Sequence, residues 1–169
     1  MLAVPDSLVG RWWAVHTKSR QEKALASDLG RLGVNCFLPL ARVRRRSAGR
    51  TVETQIPLFP GYLFMCGNEE ERIAVLRTRR VVRVLNVGDQ ERLKDSLRQI
   101  HRMVTSNQPV DLYPGIRPGR RFRIVSGPLR GIEGTVFRRH GVSRIYVAID
   151  MLGQSAEAEI DAASLEMTD

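Results

Sequence analysis

The alternation of apolar and polar positions divides the chain into two stretches of different texture. In Arg11–Thr17, RWWAVHT, Trp13 and Val15 fall on one side of an extended chain and Trp12 and Ala14 on the other, which predicts a first strand. Ser19 and Glu22 stand in the S-x-x-E spacing of a capping box, in which hydroxyl and carboxylate each satisfy a backbone N–H at a helix start. Leu25, Leu29 and Leu32 follow at helical spacing, and Gly33 supplies a stop. Residues 34–40 read as a second strand, whereas 41–50 are too charged and turn-rich for a core and read as an exposed loop. Residues 51–58 alternate, with Val52, Thr54, Ile56 and Leu58 on one side, and lead into FPGYLFMC; these give the third and fourth strands. Asn68 with Glu71 repeats the capping spacing before a short helix carrying Ile73 and Leu76. Residues 81–87 predict a fifth strand, and Asp89 caps a third helix with Leu93, Leu97, Ile100 and Val104 on one stripe. The order β-α-β-β-β-α-β-α is that of an antiparallel sheet with helices packed on one face.

Residues 106–115, SNQPVDLYPG, have no periodicity and two prolines, the composition of a flexible linker. Beyond them the helical stripes stop. RFRIVSG, GTVFRRH, SRIYVAID and AEAEID are short strand-like runs between Gly-containing turns, which predict a small β-barrel over 116–169. Gly127, Gly131 and Gly134 are assigned to tight turns between these strands, with Val125 and Val136 pointing inward. A phosphate-cradling glycine loop is the competing reading, but the Walker spacing is missing and no helix follows. The fold class is therefore α+β: a sheet-and-helix domain over 10–105, a linker over 106–115 and a barrel over 116–169.

Charge sharpens this division. Residues 1–105 hold 19 Lys and Arg against 10 Asp and Glu, whereas 106–169 hold 8 of each, so the whole excess of +9 lies in the first part. A polyanion partner, most simply nucleic acid, and a solvated basic face both account for it. Within the second part, residues 116–144 are basic with Glu133 alone against them, and 145–169 hold six acids and no Lys or Arg. Strand pairing between those halves would neutralise much of this. Cys36 and Cys66 sit singly in apolar sequence; buried free thiols are expected, with a disulfide as the alternative. No ligand cluster has metal spacing, and the three histidines, His16, His101 and His140, are scattered without a nucleophile motif, so neither metal, cofactor nor catalysis is expected. There is neither a leader-like N-terminus nor an apolar run near the roughly 18 residues of a membrane span, and a cytoplasmic protein is expected.

WWAVHTKSRQEKALASDL, then FLPL, a basic segment, PLFPGYLF and a strand-helix-strand resemble the N-terminal domain of NusG-type transcription elongation factors. IRPGRRFRIVSGPLRGIEGTVFRR with DMLGQSAEAEID resembles their C-terminal KOW domain, an SH3-like barrel. The resemblance implies a monomeric factor whose N-terminal domain docks on the clamp helices of bacterial RNA polymerase and suppresses pausing, while the KOW domain recruits the termination factor Rho or a ribosomal protein. It places Trp12, Trp13, Phe59, Pro60, Gly61 and Tyr62 at the polymerase surface, with Phe59 and Tyr62 as leading anchors and Phe64 as a core residue. Composition alone favours the same rings as filling of a sheet-helix core; the resemblance reverses that for Phe59 and Tyr62. Arg42, Arg44, Arg45, Arg46 and Arg50 fall where the family has a variable hairpin near upstream DNA, which implies sequence-independent phosphate contacts.

Leu152, Gly153 and Gln154 replace a Phe-Gly-Arg element of the family's KOW partner surface. That departure points toward a specialised, RfaH-like antiterminator rather than a general factor. The competing function is an RNA-binding or ribosome-associated protein, because α/β domains with surface aromatics stack bases and small barrels bind RNA.

Overall fold

The computed structural model describes residues 8–47, 49–106, 108–113, 119–139 and 142–168; the side chains of Arg45, Ser47, Tyr113, Arg138 and Arg139 lie outside that description. The described residues form three α-helices, short 3-10 turns and antiparallel sheets, and packing divides the chain into Met1–Pro39 with Phe59–Arg98, and Leu40–Leu58 with Gln99–Asp169.

The first unit is built on strands β1 (Arg11–Thr17), β2 (Asn35–Phe37), β5 (Tyr62–Gly67) and β6 (Val81–Leu85), in the order β2-β5-β1-β6. Helix α1 (Glu22–Arg31) packs on β2 and β5, and α2 (Glu69–Arg77) on β6. Helix α3 (Gln90–Thr105) starts in this unit and is capped by Asp89 Oδ1, which accepts from the Arg92 N–H at 2.9 Å. Successive residues of the central strands point to opposite faces, yet Trp12, Trp13, Ala14 and Val15 of β1 and Leu63, Phe64, Met65 and Cys66 of β5 are all buried. The sheet is thus covered on both faces rather than one. Cys36 pairs with Met65, and Cys66 with Asn35, so the two thiols project from opposite faces and are free. Burial pushes both thiols up, and for Cys66 the charge of Glu71 adds to it.

The local helix signals fare differently. Asn68 accepts from the Glu71 N–H at 2.9 Å while Glu71 accepts from the Asn68 N–H at 2.7 Å, a reciprocal capping box. At α1 the same spacing does not cap: the helix starts later, with Gln21 at the N-cap and no side-chain bond. Gly33, at φ +74°, does end α1, with the Val34 N–H bonded to the Leu29 carbonyl at 2.9 Å. Leu25 and Leu29 are buried, but Leu32, Ile73 and Leu76 face solvent, and Val75 rather than either of the last two holds α2 down.

In the second unit, residues 41–47 and 50 of the expected loop over 41–50 are strand instead. β3 (Leu40–Ser47) pairs along its length with β4 (Arg50–Pro57), because a turn at Gly49, φ +76°, lets the two runs fold back. The remaining strands, β7 (Val110–Tyr113), β8 (Arg121–Ile124), β9 (Glu133–Arg139), β10 (Val142–Ile149), β11 (Gln154–Ile160) and β12 (Leu165–Met167), form one antiparallel sheet in the order β12-β8-β9-β10-β11-β7. Part of the expected linker is therefore strand β7, while its residues 107, 114 and 115 lie outside the described residues. Val110 and Leu112 supply two apolar positions of one face, enough to seat a four-residue strand on β11 but too few to register as periodicity.

Gly127 and Gly131, at φ +82° and +83°, lie in the β8–β9 turn as expected. Gly134 does not: it sits inside β9, opposite Phe122, where a Cβ would clash with the Tyr146 carbonyl oxygen. The glycine is needed for close approach of β9 and β10 and not for a turn. Val125, expected inside, is 40% exposed. We predict that Gly134→Ala lowers stability by about 1–3 kcal/mol through forced separation of the strands; an unchanged denaturation midpoint would show that the sheet tolerates the wider spacing.

Candidate docking surface

Phe59, Pro60, Gly61 and Tyr62 form a turn closed by the Tyr62 N–H on the Phe59 carbonyl at 3.1 Å, with Gly61 at φ +81°. Pro at the second place and a positive-φ Gly at the third are the residues a type II turn requires. Two long-range bonds clamp it: the Gly61 N–H donates to Glu22 Oε1 at 2.7 Å, and the Gly61 carbonyl accepts from the Thr17 N–H at 2.8 Å. Glu22 is only 7% exposed, so its carboxylate is committed to the turn. This is why the S-x-x-E spacing fails as a cap.

The turn separates the rings. Phe59 is fully buried and meets Phe64 edge to face, with centroids 6.2 Å apart and planes at 89°. Tyr62, the first residue of β5, is half-buried and stacks on His16, its register partner on β1, at 4.9 Å and 17°. Pro60 is exposed beside them. Trp12 and Trp13 are both buried, Trp13 with the Arg11 guanidinium 5.8 Å over its ring. Of the six residues expected at a polymerase surface, the structure leaves Pro60 exposed and Gly61 and Tyr62 half-buried, and corrects Phe59, Trp12 and Trp13 to core. For Trp12 and Trp13 the reason is the double-sided burial of β1, which leaves no free face for alternating residues; Phe59, ahead of β5, is aimed inward by the turn onto Phe64.

His16 and Glu22 are the members of this surface that sequence reasoning missed. His16 is one of three scattered histidines, and only the β1–β5 register sets it against Tyr62. Its Nδ1 is buried without a hydrogen-bond partner. Also on α1, Asp28 accepts from Arg80 Nε at 2.5 Å and from Arg31. The Arg80 bond, opposed by lost hydration and reinforced by Arg31, holds the Asp28 carboxyl below the usual carboxylate range.

Along β3, Arg42, Arg44 and Arg46 alternate onto one face of the hairpin, opposite Gln55, Glu53 and Thr51. All three are exposed, and Arg42 lies 3.9 Å from Glu53, which is exposed as well. Arg50 is exposed at the turn end of the same hairpin. The strand thus converts a charge run into a row of cations at about 6–7 Å intervals, near the spacing of successive phosphates. In the second sheet, Leu152 closes a 3-10 turn, Asp150–Leu152, Gly153 follows at φ +62°, and Gln154 opens β11 with its Oε1 buried and unpartnered. Among the described residues no group of three His, Cys, Asp or Glu side chains can hold a metal ion, and no helix is long and apolar enough to cross a membrane.

Comparison with known proteins gives this arrangement its class. A solved structure of Thermotoga maritima NusG, concerned with domain interaction, aligns over 94% of this chain and 97% of that one at 21% identity with a TM-score of 0.51, which shows a shared fold. The MjSpt4:Spt5 complex aligns over 94% of this chain and 98% of that chain at 14% identity, with a TM-score of only 0.30. Residues 10–110 match the family described as transcription termination factor nusG, a span of more than half the chain. The chain belongs to the NusG family of transcription factors.

Proposed function

We propose that this chain is a bacterial transcription elongation factor that docks on RNA polymerase, suppresses pausing and modulates termination or antitermination. The observation that carries the reading is the outward Tyr62–His16 stack, mounted beside a turn that Glu22 and Thr17 hold rigid, within the span matched to the family. A partner helix is held by a few apolar anchors, and anchors on a rigid mount lose little freedom on binding. The clamp helices of the polymerase supply such a helix. Phe59, Trp12 and Trp13 serve this surface indirectly, as core residues that fix the turn and β1, with Trp12 and Trp13 on opposite faces of that strand.

The N-terminal domain in this reading spans 10–105, and 116–169 form a KOW barrel onto which residues 110–113 add a strand. The barrel recruits Rho or a ribosomal protein through the Leu152-Gly153-Gln154 turn, where the missing aromatic ring and cation favour a specialised, RfaH-like branch. Arg42, Arg44, Arg46 and Arg50, with Arg45, contact nucleic-acid backbone near the polymerase. Replacing Arg42, Arg44 and Arg46 with Gln is predicted to lower the slope of log affinity against log salt for duplex DNA by about 0.9 for each phosphate no longer neutralised. An unchanged slope would leave the row as a solvated face.

Titration of core RNA polymerase with the chain, without nucleic acid, together with an elongation assay at a pause site, tests the whole reading. A complex and shortened pauses are expected. Tight binding to short RNA with no affinity for polymerase would replace it with an RNA-binding function.

A further inference from the structure

Strand β7 is matched to β11 at its flanks and mismatched at its centre. It is the edge strand of its sheet and pairs with β11 through Val110↔Ala158, Asp111↔Glu157, Leu112↔Ala156 and Tyr113↔Ser155. Val110 is buried at 5% exposure and Leu112 half-buried, so the aliphatic positions fit. Asp111, between them, lies directly opposite Glu157, and like charges directly opposed across two strands are destabilising. Glu157 is only 6% exposed; Arg144 Nη1 donates to its Oε1 at 3.0 Å, but Oε2 is buried with no partner. Arg144 is also 3.9 Å from Asp111 and from Glu159, so three carboxylates share one guanidinium. A buried acceptor without a donor is costly, more so when it is charged.

A strand with a Lys or Arg between two aliphatic residues would keep the flanking fit, give Glu157 Oε2 a donor and balance the local charge. Beside β7 a cavity of 690 Å³, lined by Pro109, Asp111, Arg144, Glu159 and Asp161 among others, leaves room for the longer side chain. The segment around β7 has linker composition, so its release breaks no helix or interior strand. We propose that the β11 edge is a docking edge for an extended, apolar–basic–apolar segment of a partner protein, and that β7 occupies it in cis until displaced. Main-chain bonds to β11 supply the general affinity and the central cation supplies the selectivity. This edge is independent of the Tyr62 surface, and its failure would leave polymerase docking untouched.

Fluorescence anisotropy on the full chain tests it with two labelled peptides, SNQPVDLYPG, copied from the chain, and SNQPVKLYPG. The Lys peptide is expected to bind roughly tenfold more tightly than the Asp peptide, the effect of one hydrogen bond to a charged group. Asp111→Lys in the chain is expected to weaken binding of the Lys peptide by roughly tenfold, because the strand in cis then makes the missing pair. Hydrogen exchange on that variant is expected to slow at the β11 amides of residues 155–158, which reports both a folded sheet and a more firmly seated β7. Absence of binding, equal affinity for the two peptides, unchanged affinity of Asp111→Lys, or faster β11 exchange in that variant each overturns the proposal.

Discussion

Phe59→Ala lowers the stability of the fold by about 3–5 kcal/mol, the usual cost of truncating a fully buried phenylalanine. The ring has no solvent-exposed surface, and its removal takes away the edge-to-face packing on Phe64. Against a total folding stability of roughly 5–15 kcal/mol, such a loss is large enough to read directly. Urea denaturation should show a lower midpoint at unchanged slope, the mark of altered stability rather than altered compactness. A midpoint that stays put while polymerase affinity falls would restore Phe59 to the docking surface that its sequence context suggests.

Tyr62→Ala is the complementary case. We predict a loss of polymerase affinity of roughly 30-fold, equivalent to about 2 kcal/mol for one aromatic anchor. Its cost to the fold should be smaller, about 0.5–1.5 kcal/mol, because the ring is half-buried and its aromatic partner is His16. Tyr62→Phe keeps that stack and is expected to retain most of the affinity. Titration that finds Tyr62→Ala as tight as the parent chain would end the docking assignment. Together the two variants separate a ring that holds the surface up from a ring that forms it.

The capping signals show how far local sequence reaches. Asn68-x-x-Glu71 and Ser19-x-x-Glu22 have the same spacing, yet only the first is a capping box. The spacing by itself does not distinguish them. The Glu22 carboxylate is drawn to the Gly61 N–H, a partner 39 positions away that comes within reach only when β1, α1 and β5 assemble. The charge pattern of the second part behaves in the same manner. Pairing of the basic and acidic halves does occur, through Arg144 with Glu157 and Glu159, but Arg123 pairs with Glu133 inside the basic half instead. The composition allowed the first and concealed the second.

The sequence by itself determined the helices α1 to α3, most of the strands, the glycine stops at Gly33, Gly127 and Gly131, and the resemblance that the family match bears out over 10–110. These follow from periodicity, caps and backbone freedom, which act over a few residues and are written where they act. Only the tertiary structure decided which rings of LFPGYLF face solvent, that the arginine run is a strand, that Gly134 serves close packing, and that residues 110–113 complete a sheet. Each of these depends on which strand lies beside which and in what register. A shift of one residue would exchange the faces, and the same alternation of apolar and polar residues is compatible with either outcome.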